Sequence, residues 1–192
     1  MHKIHVTDGV VLGKRGAGEA NTLVSILTEE LGLVRAKATS ARVEGSKLRY
    51  GLETLTHARY CLVRGKYEWK LTGVEGVSHA LKGEERDRRV RSGKIAKLLL
   101  RLVNGEEPVP ALYKTVIEGL GAIAGAATPA DAEAVEVVLV LRILSHLGYL
   151  PHTQALAQFI EGEYSVELAA QALKSRATLV RAINESLIAT GL

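Results

Sequence analysis

Asp8, Asp87 and Asp131 are all the aspartates the chain has, and they fall in three different predicted elements. A hydrolytic or nuclease centre needs carboxylates clustered around a metal ion or an activated water. Glu29–Glu30 and Glu84–Glu85 are adjacent pairs, and on regular secondary structure the two side chains of each pair point apart. They read as solvated turn carboxylates. There is no G-x-S-x-G, phosphate-binding loop or kinase signature. Gly16-Ala17-Gly18 is a lone G-x-G that leads into a strand rather than a helix. The six histidines show neither H-x-x-x-H nor H-E-x-x-H spacing, and His2 and His5 read as surface residues beside a strand start. The single cysteine, Cys61, allows neither an internal disulfide nor a thiolate metal cage. It reads as a small buried hydrophobe. The expectation is a protein that is not an enzyme, with no catalytic residue, no metal and no cofactor.

The basic residues point elsewhere. Lys14, Arg15, Arg35, Lys37, Arg42, Lys47 and Arg49 fall in or beside predicted turns and on one strand face, and Arg88, Arg89 and Arg91 crowd the first turns of a predicted helix. Each exposed Lys or Arg that neutralises a phosphate releases condensed counterions, so a handful suffices for salt-sensitive binding to nucleic acid. The loop from Arg42 to Tyr50 is the densest combination. Tyr50 could stack on a base, although its nearness to Leu52 favours a place in the core. Aromatic residues make up 4% of the chain, too few for the stacking platform of a tight single-strand binder. Backbone electrostatics must then dominate, which implies little sequence preference and tolerance of single- and double-stranded DNA.

The elements that position these residues change character along the chain. His5–Leu12 is β-rich and leads into a Gly13–Gly18 turn; Thr22–Thr28 is a second β-branched run. Leu33–Ala38 alternates apolar and basic residues, the period of a half-buried strand, so Arg35 and Lys37 share its outer face. Leu52–Val63 and Lys66–Val74 flank Arg64–Gly65 as a hairpin. Five short strands in this span fit an OB-fold barrel. From Glu84 the period becomes helical. Ile95, Leu98, Leu99 and Leu102 make one apolar stripe, a second helix starts near Pro108–Pro110, and a third opens at Thr128–Pro129 with Asp131 and Glu133 in its first turn. Two short helices follow, with Ser165 and Ser175 as N-caps. The fold class is therefore α+β, strands then helices: residues 1–80 an OB-fold nucleic-acid-binding domain, residues 81–192 a helical domain, with the boundary near 78–84.

Bulk composition agrees. Of 192 residues 47% are hydrophobic and 24% charged, ordinary values for a globular protein. The longest apolar stretch, Val137–Leu141, stops at Arg142, far short of a membrane span, and the N-terminus lacks the apolar core of a signal peptide; a cytoplasmic location is expected. The net charge of +4 hides an asymmetry: residues 1–105 hold 20 Lys/Arg against 11 Asp/Glu, and residues 106–192 hold 5 against 10. One half suits a polyanion, the other a partner or a core.

Several ordered segments resemble the bacterial recombination mediator family RecO. They are Gly9-Val-Val-Leu12, Gly18-Glu-Ala-Asn-Thr-Leu-Val-Ser-Ile-Leu-Thr28 through Gly32-Leu-Val, Ala38-Thr-Ser-Ala-Arg42 with Ser46-Lys47-Leu, Val63-Arg-Gly-Lys66, and Leu144-Ser-His-Leu-Gly148-Tyr149. The resemblance spans roughly residues 4–150. It implies an OB-fold followed by a helical domain, binding of single- and double-stranded DNA, annealing of complementary strands, and loading of recombinase onto coated single strands in DNA repair. It also implies two partners, the RecR protein and the C-terminal tail of single-stranded DNA-binding protein. The chain departs from the family at Ala38–Arg42, where members often have Ala-Lys-Gly-x-Arg; Lys37 or Lys47 is placed to compensate. It also lacks the four-cysteine zinc module that many members carry after the Leu-Gly-Tyr segment, reading as a short form. A pocket for an acidic tail calls for cations, and the second half offers Lys114, Arg142, Lys174, Arg176 and Arg181. Two alternatives stay open: a protein-interaction scaffold, and an RNA-binding OB-fold protein.

Overall fold

The computed structural model describes residues 3–83, 85–151 and 153–189; His2, Glu84 and His152, on which the sequence reading touched, lie outside them. Five strands, β1 (Ile4–Ala17), β2 (Asn21–Thr28), β3 (Gly32–Ala38), β4 (His57–Arg64) and β5 (Trp69–Ser78), precede six helices. The helices are α1 (Arg86–Leu102), α2 (Pro110–Gly125), α3 (Pro129–His146), α4 (Gln154–Ile160), α5 (Val166–Lys174) and α6 (Arg176–Ala189). By contacts the chain forms two compact units, one of Met1–Lys82 with Ala96–Tyr113, the other of Gly83–Ile95 with Lys114–Leu192. Helix α1 thus supplies residues to both.

In the first unit the strands close a barrel in the order β1-β2-β3-β5-β4, with β3 and β5 parallel and every other pair antiparallel. This is the five-stranded OB arrangement the sequence suggests. Alternation does the work: in β3 Val34, Ala36 and Ala38 are buried while Arg35 is exposed and Lys37 half-exposed. The interior holds Val24, Ile26, Tyr60, Leu62, Trp69 and Leu71, among others. Tyr60 is fully buried and its hydroxyl reaches the carbonyls of Gly51 and Thr56 at 3.0 and 3.2 Å, which satisfies the polar atom; burial pushes its pKa up. At the β2–β3 turn Thr28 Oγ1 donates to the Gly32 carbonyl and accepts from Leu31 N. Gly32 has φ +68°, and a Cβ there would sit 2.5 Å from the Glu107 carbonyl oxygen, so only glycine fits.

Three strand boundaries differ from expectation. β5 runs from Trp69 to Ser78 and not from Lys66 to Val74, because Gly65 N bonds the Glu68 carbonyl and widens the hairpin turn. The Gly13–Gly18 stretch is not a turn: β1 runs on to Ala17, with a register shift between Val11 and Gly13, because β2 pairs with it as far as Ala17↔Asn21. Likewise Leu52–Val63 is not one strand. A 3-10 turn over Arg49–Leu52 buries Gly51 and Leu52 against the barrel, Leu55 adopts φ +67°, and pairing begins only at His57. Cys61 is half-buried rather than a core residue; burial pushes its thiol up.

In the second unit α3 packs against α4, α5 and α6. Its start is a reciprocal cap: Thr128 Oγ1 accepts from Asp131 N, and the Asp131 carboxylate accepts from Thr128 N, both at 3.1 Å. This satisfies two of the open donors of a helix start. Beyond α3 the described residues form three helices, not two. The unforeseen one, α4, is only seven residues long and has too few turns to show a period. Ser165 caps α5 through Leu168 N as expected. Ser175 stands at the N-cap position of α6 as expected, its carbonyl accepting from Thr178 and Leu179 N, and it also closes α5.

Candidate nucleic-acid interface

Strand pairing sorts the barrel cations onto two surfaces. Arg15 pairs with Leu23, Leu23 with Lys37, and Lys37 with Lys70, a row across four strands. Directly paired residues project to the same face, and Arg35, two residues from Lys37 and opposite Ser25, shares it. This outer row therefore carries Arg15, Arg35, Lys37 and Lys70. Lys37 has a carboxylate at 3.7 Å, that of Glu68. A hollow of about 290 Å³ is lined by Lys14, Arg15, Ser25 and Arg35, among others.

The second surface is the mouth of the barrel. Lys14 pairs with Val24, and Gly16 with Thr22; Val24 and Thr22 are buried, so Lys14 leaves the backbone on the inner face and, being exposed, emerges at the rim. A cavity of about 450 Å³ opens there, lined by Lys14, Arg15, Arg42 and Arg49 together with Gly16, Thr22, Ala41 and Leu52. The segment after β3 is stitched across the rim to the β1–β2 turn. Ser40 N donates to Asn21 Oδ1 (3.0 Å), Arg42 N to the Ala20 carbonyl (3.0 Å), and Arg42 Nη1 to the Gly18 carbonyl (3.1 Å). A Cβ on Gly16 would meet the movable end of the Arg42 side chain, Nη1, at 3.2 Å. Tyr60, by holding the Gly51 carbonyl, fixes the turn that presents Arg49.

The ten residues singled out from sequence thus separate. Lys14, Arg15, Arg42 and Arg49 come together around the cavity; Arg35 and Lys37 lie on the outer row with Arg15; Lys47 is exposed on the same loop as Arg42. Arg89 is exposed on α1. Arg88 and Arg91, each with a side chain only 16% exposed, are committed inside the second unit. Arg88 donates to the Ala124 carbonyl (3.0 Å) and pairs with Glu85; Arg91 bridges Asp87 (2.7 Å) and Glu136 (2.6 Å). Burial works against the Arg91 charge, but its two carboxylate bonds outweigh it and raise the pKa. Tyr50 is not a core residue: it is 72% exposed, because the 3-10 turn spends its inward positions on Gly51 and Leu52.

Lys66, Tyr67 and Lys70 were not singled out. Tyr67, 86% exposed at the β4–β5 hairpin tip, carries the Lys66 ammonium 4.9 Å above its ring. The only signal was an aromatic inside a basic turn. Among the described residues no group of three or more His, Cys, Asp or Glu side chains could hold a metal ion, and no helix is long and apolar enough to cross a membrane.

In the second unit, Arg142 is 4% exposed and held by the carbonyls of Phe159 (2.8 Å) and Glu161 (3.3 Å), its guanidinium 4.3 Å above the Tyr164 ring. Arg176 pairs with Glu133 and Lys114 with Glu118. Lys174 and Arg181 are exposed, with no ion pair among the described residues.

Comparison with known proteins agrees with this architecture. Residues 1–78 match the family described as Recombination protein O N terminal, and residues 93–176 match Recombination protein O C terminal. The DNA repair protein RecO of Gloeothece citriformis is 32% identical over 79% of this chain and 54% of its own length. Those of Heliobacterium modesticaldum and Pelotomaculum thermopropionicum are 31% and 27% identical, each over 78% of this chain and 53% and 57% of their own. The chain spans about half the length of these relatives. With the barrel order, the helices that follow it and both halves matched in sequence order, the chain belongs to the RecO family.

Proposed function

We propose that this protein is a non-catalytic DNA-binding mediator of recombinational repair, which holds single- and double-stranded DNA by the phosphate backbone. The carrying observation is the pairing state of the barrel cations. Of Lys14, Arg15, Arg35, Lys37, Arg42, Lys47 and Arg49, Lys37 alone has a carboxylate at ion-pair distance among the described residues. Cations that outnumber their counter-charges on two adjoining surfaces raise a positive potential that a polyanion relieves. Arg89 is exposed on α1 in the other unit, while Arg88 and Arg91 serve by holding α1 in that unit. A surface that meets phosphates rather than base edges suits strand annealing, because it tolerates any sequence.

The reading extends to the implied partners. RecR and the C-terminal tail of single-stranded DNA-binding protein are the proposed protein contacts, with recombinase loading as the outcome and the cytoplasm as the setting. Lys174 and Arg181 are the cations of the second unit placed to meet an acidic tail, since Arg142 is spent inside the fold.

The test is DNA affinity against salt, by fluorescence anisotropy. The expected result is a fall of at least about tenfold between roughly 50 and 200 mM salt; a flat profile refutes the electrostatic reading. Charge reversal of Arg42, Lys47 and Arg49 together is expected to abolish most binding, and wild-type affinity in that variant would refute the site. An RNA oligonucleotide run in parallel separates DNA from RNA preference.

A further inference from the structure

We infer that the cavity at the barrel mouth is a receptor for the terminal phosphate of a nucleic-acid strand. The inference rests on the DNA-binding reading and adds to it which part of the strand the cavity takes. The lining contains three arginines and a lysine, Arg15, Arg42, Arg49 and Lys14, and no acidic residue. Its volume, about 450 Å³, is that of a sphere about 9.5 Å across, so four cations line a space only a few atoms wide. Such crowding is unfavourable until an anion enters.

A strand passing through so small a space offers the cations a phosphodiester of single charge. A strand ending there offers a phosphomonoester, with about −1.5 to −2 charge at neutral pH and three strong acceptor oxygens. The arginines supply planar forks suited to those oxygens. The floor is made of buried side chains, Thr22, Ala41 and Leu52, with the Thr22 hydroxyl as one more polar group. All four cations thus converge on one small space instead of spreading along a track. It is also assembled in advance, because the bonds from Ser40 and Arg42 to Asn21, Ala20 and Gly18 fix the rim without any ligand. A rim already in place adds affinity by lowering the ordering cost of binding. The outer row of Arg15, Arg35, Lys37 and Lys70, by contrast, lies open across four strands and suits the internal phosphates that follow.

The experiment uses the full chain and a short oligothymidylate made in four forms: a phosphomonoester at the 5′ end, one at the 3′ end, hydroxyls at both ends, and a 5′ phosphate capped as its methyl ester. At fixed moderate salt, one phosphomonoester form is expected to bind at least about tenfold tighter than the dihydroxyl form, the effect of one charge-assisted bond or more. The methyl ester, with its single charge, is expected to bind like the dihydroxyl form. The K14Q/R49Q double variant is expected to bring the ratio of phosphorylated to dihydroxyl affinity close to one. A K37Q/K70Q variant lowers all four affinities and keeps the ratio. Equal, salt-sensitive binding of all four forms overturns the socket and leaves the backbone-binding reading intact; no binding of any form overturns both. A ratio that survives K14Q/R49Q places the end elsewhere and overturns the assignment. Thymidine monophosphate binding as tightly as the phosphorylated strand also overturns it, in favour of a free nucleotide.

Discussion

Arg142 shows how much one buried cation can hold together. Its guanidinium donates to the carbonyls of Phe159 and Glu161, where α4 ends, and lies over Tyr164 just beyond. Burial of the Tyr164 hydroxyl outweighs the opposing pull of Arg142 and pushes its pKa up to about 12. An Arg142→Met substitution keeps much of the volume but leaves two carbonyls without a donor. The expected cost is about 2–4 kcal/mol, read by chemical denaturation, together with faster amide exchange across residues 154–164. An unchanged midpoint would show that water replaces the guanidinium. None of this is visible in the sequence, where Arg142 looks like an interruption in an apolar run; the carbonyls that bury it lie 17 and 19 residues away. Arg91 is misleading for the same reason, since its partner Glu136 lies 45 residues on. Charge type can be read from a sequence, but whether a charge is spent inside the fold cannot.

At the level of elements, local chemistry was the most legible. Thr128, Pro129 and Asp131 mark the start of α3 in the sequence, and the structure realises them as a reciprocal cap. Thr128→Ala is expected to destabilise the protein by about 1 kcal/mol, measured as a lowered denaturation midpoint with unchanged DNA binding. The alternation of β3 was equally plain, and it placed Arg35 and Lys37 on the outer face. What could not be read was the mouth cavity. It needs Lys14 and Arg15 from a strand mistaken for a turn, and Arg42 and Arg49 from a loop whose fold depends on hydrogen bonds to residues 18–21. Register, not composition, brings those four side chains to one place.

For the whole molecule, acid response follows from His146 and Glu53, with Glu167 also held below 4.5 by hydrogen bonds from its own backbone and Ser165. Burial, aided by Arg142, holds the His146 pKa below its ordinary 6.5, and the bond from Lys82, aided by its charge, holds Glu53 below 4.5. In each case the unfolded chain takes up the proton first on acidification, so stability falls as pH falls. For His146 the loss begins as pH drops below 6.5 and is complete below the folded-state value; for Glu53 it begins below 4.5 and ends likewise. The thermal midpoint is therefore expected to decline in two steps, and His146→Gln to remove the upper one. A midpoint flat from about pH 7 to 5 in the wild type would contradict the His146 assignment.

Closing a sheet into a barrel leaves no strand edge to recruit another chain, yet the ring is only as firm as its shortest joint. Here that joint is the parallel pairing of β3 with β5, limited to Ala36↔Trp69, Lys37↔Lys70 and Ala38↔Leu71. Two lysines face each other across it, with Glu68 at 3.7 Å from Lys37. The seam is thus the natural place for the barrel to breathe, and an anion laid over Lys37 and Lys70 would act as a clasp, so that a bound strand tightens the fold that binds it.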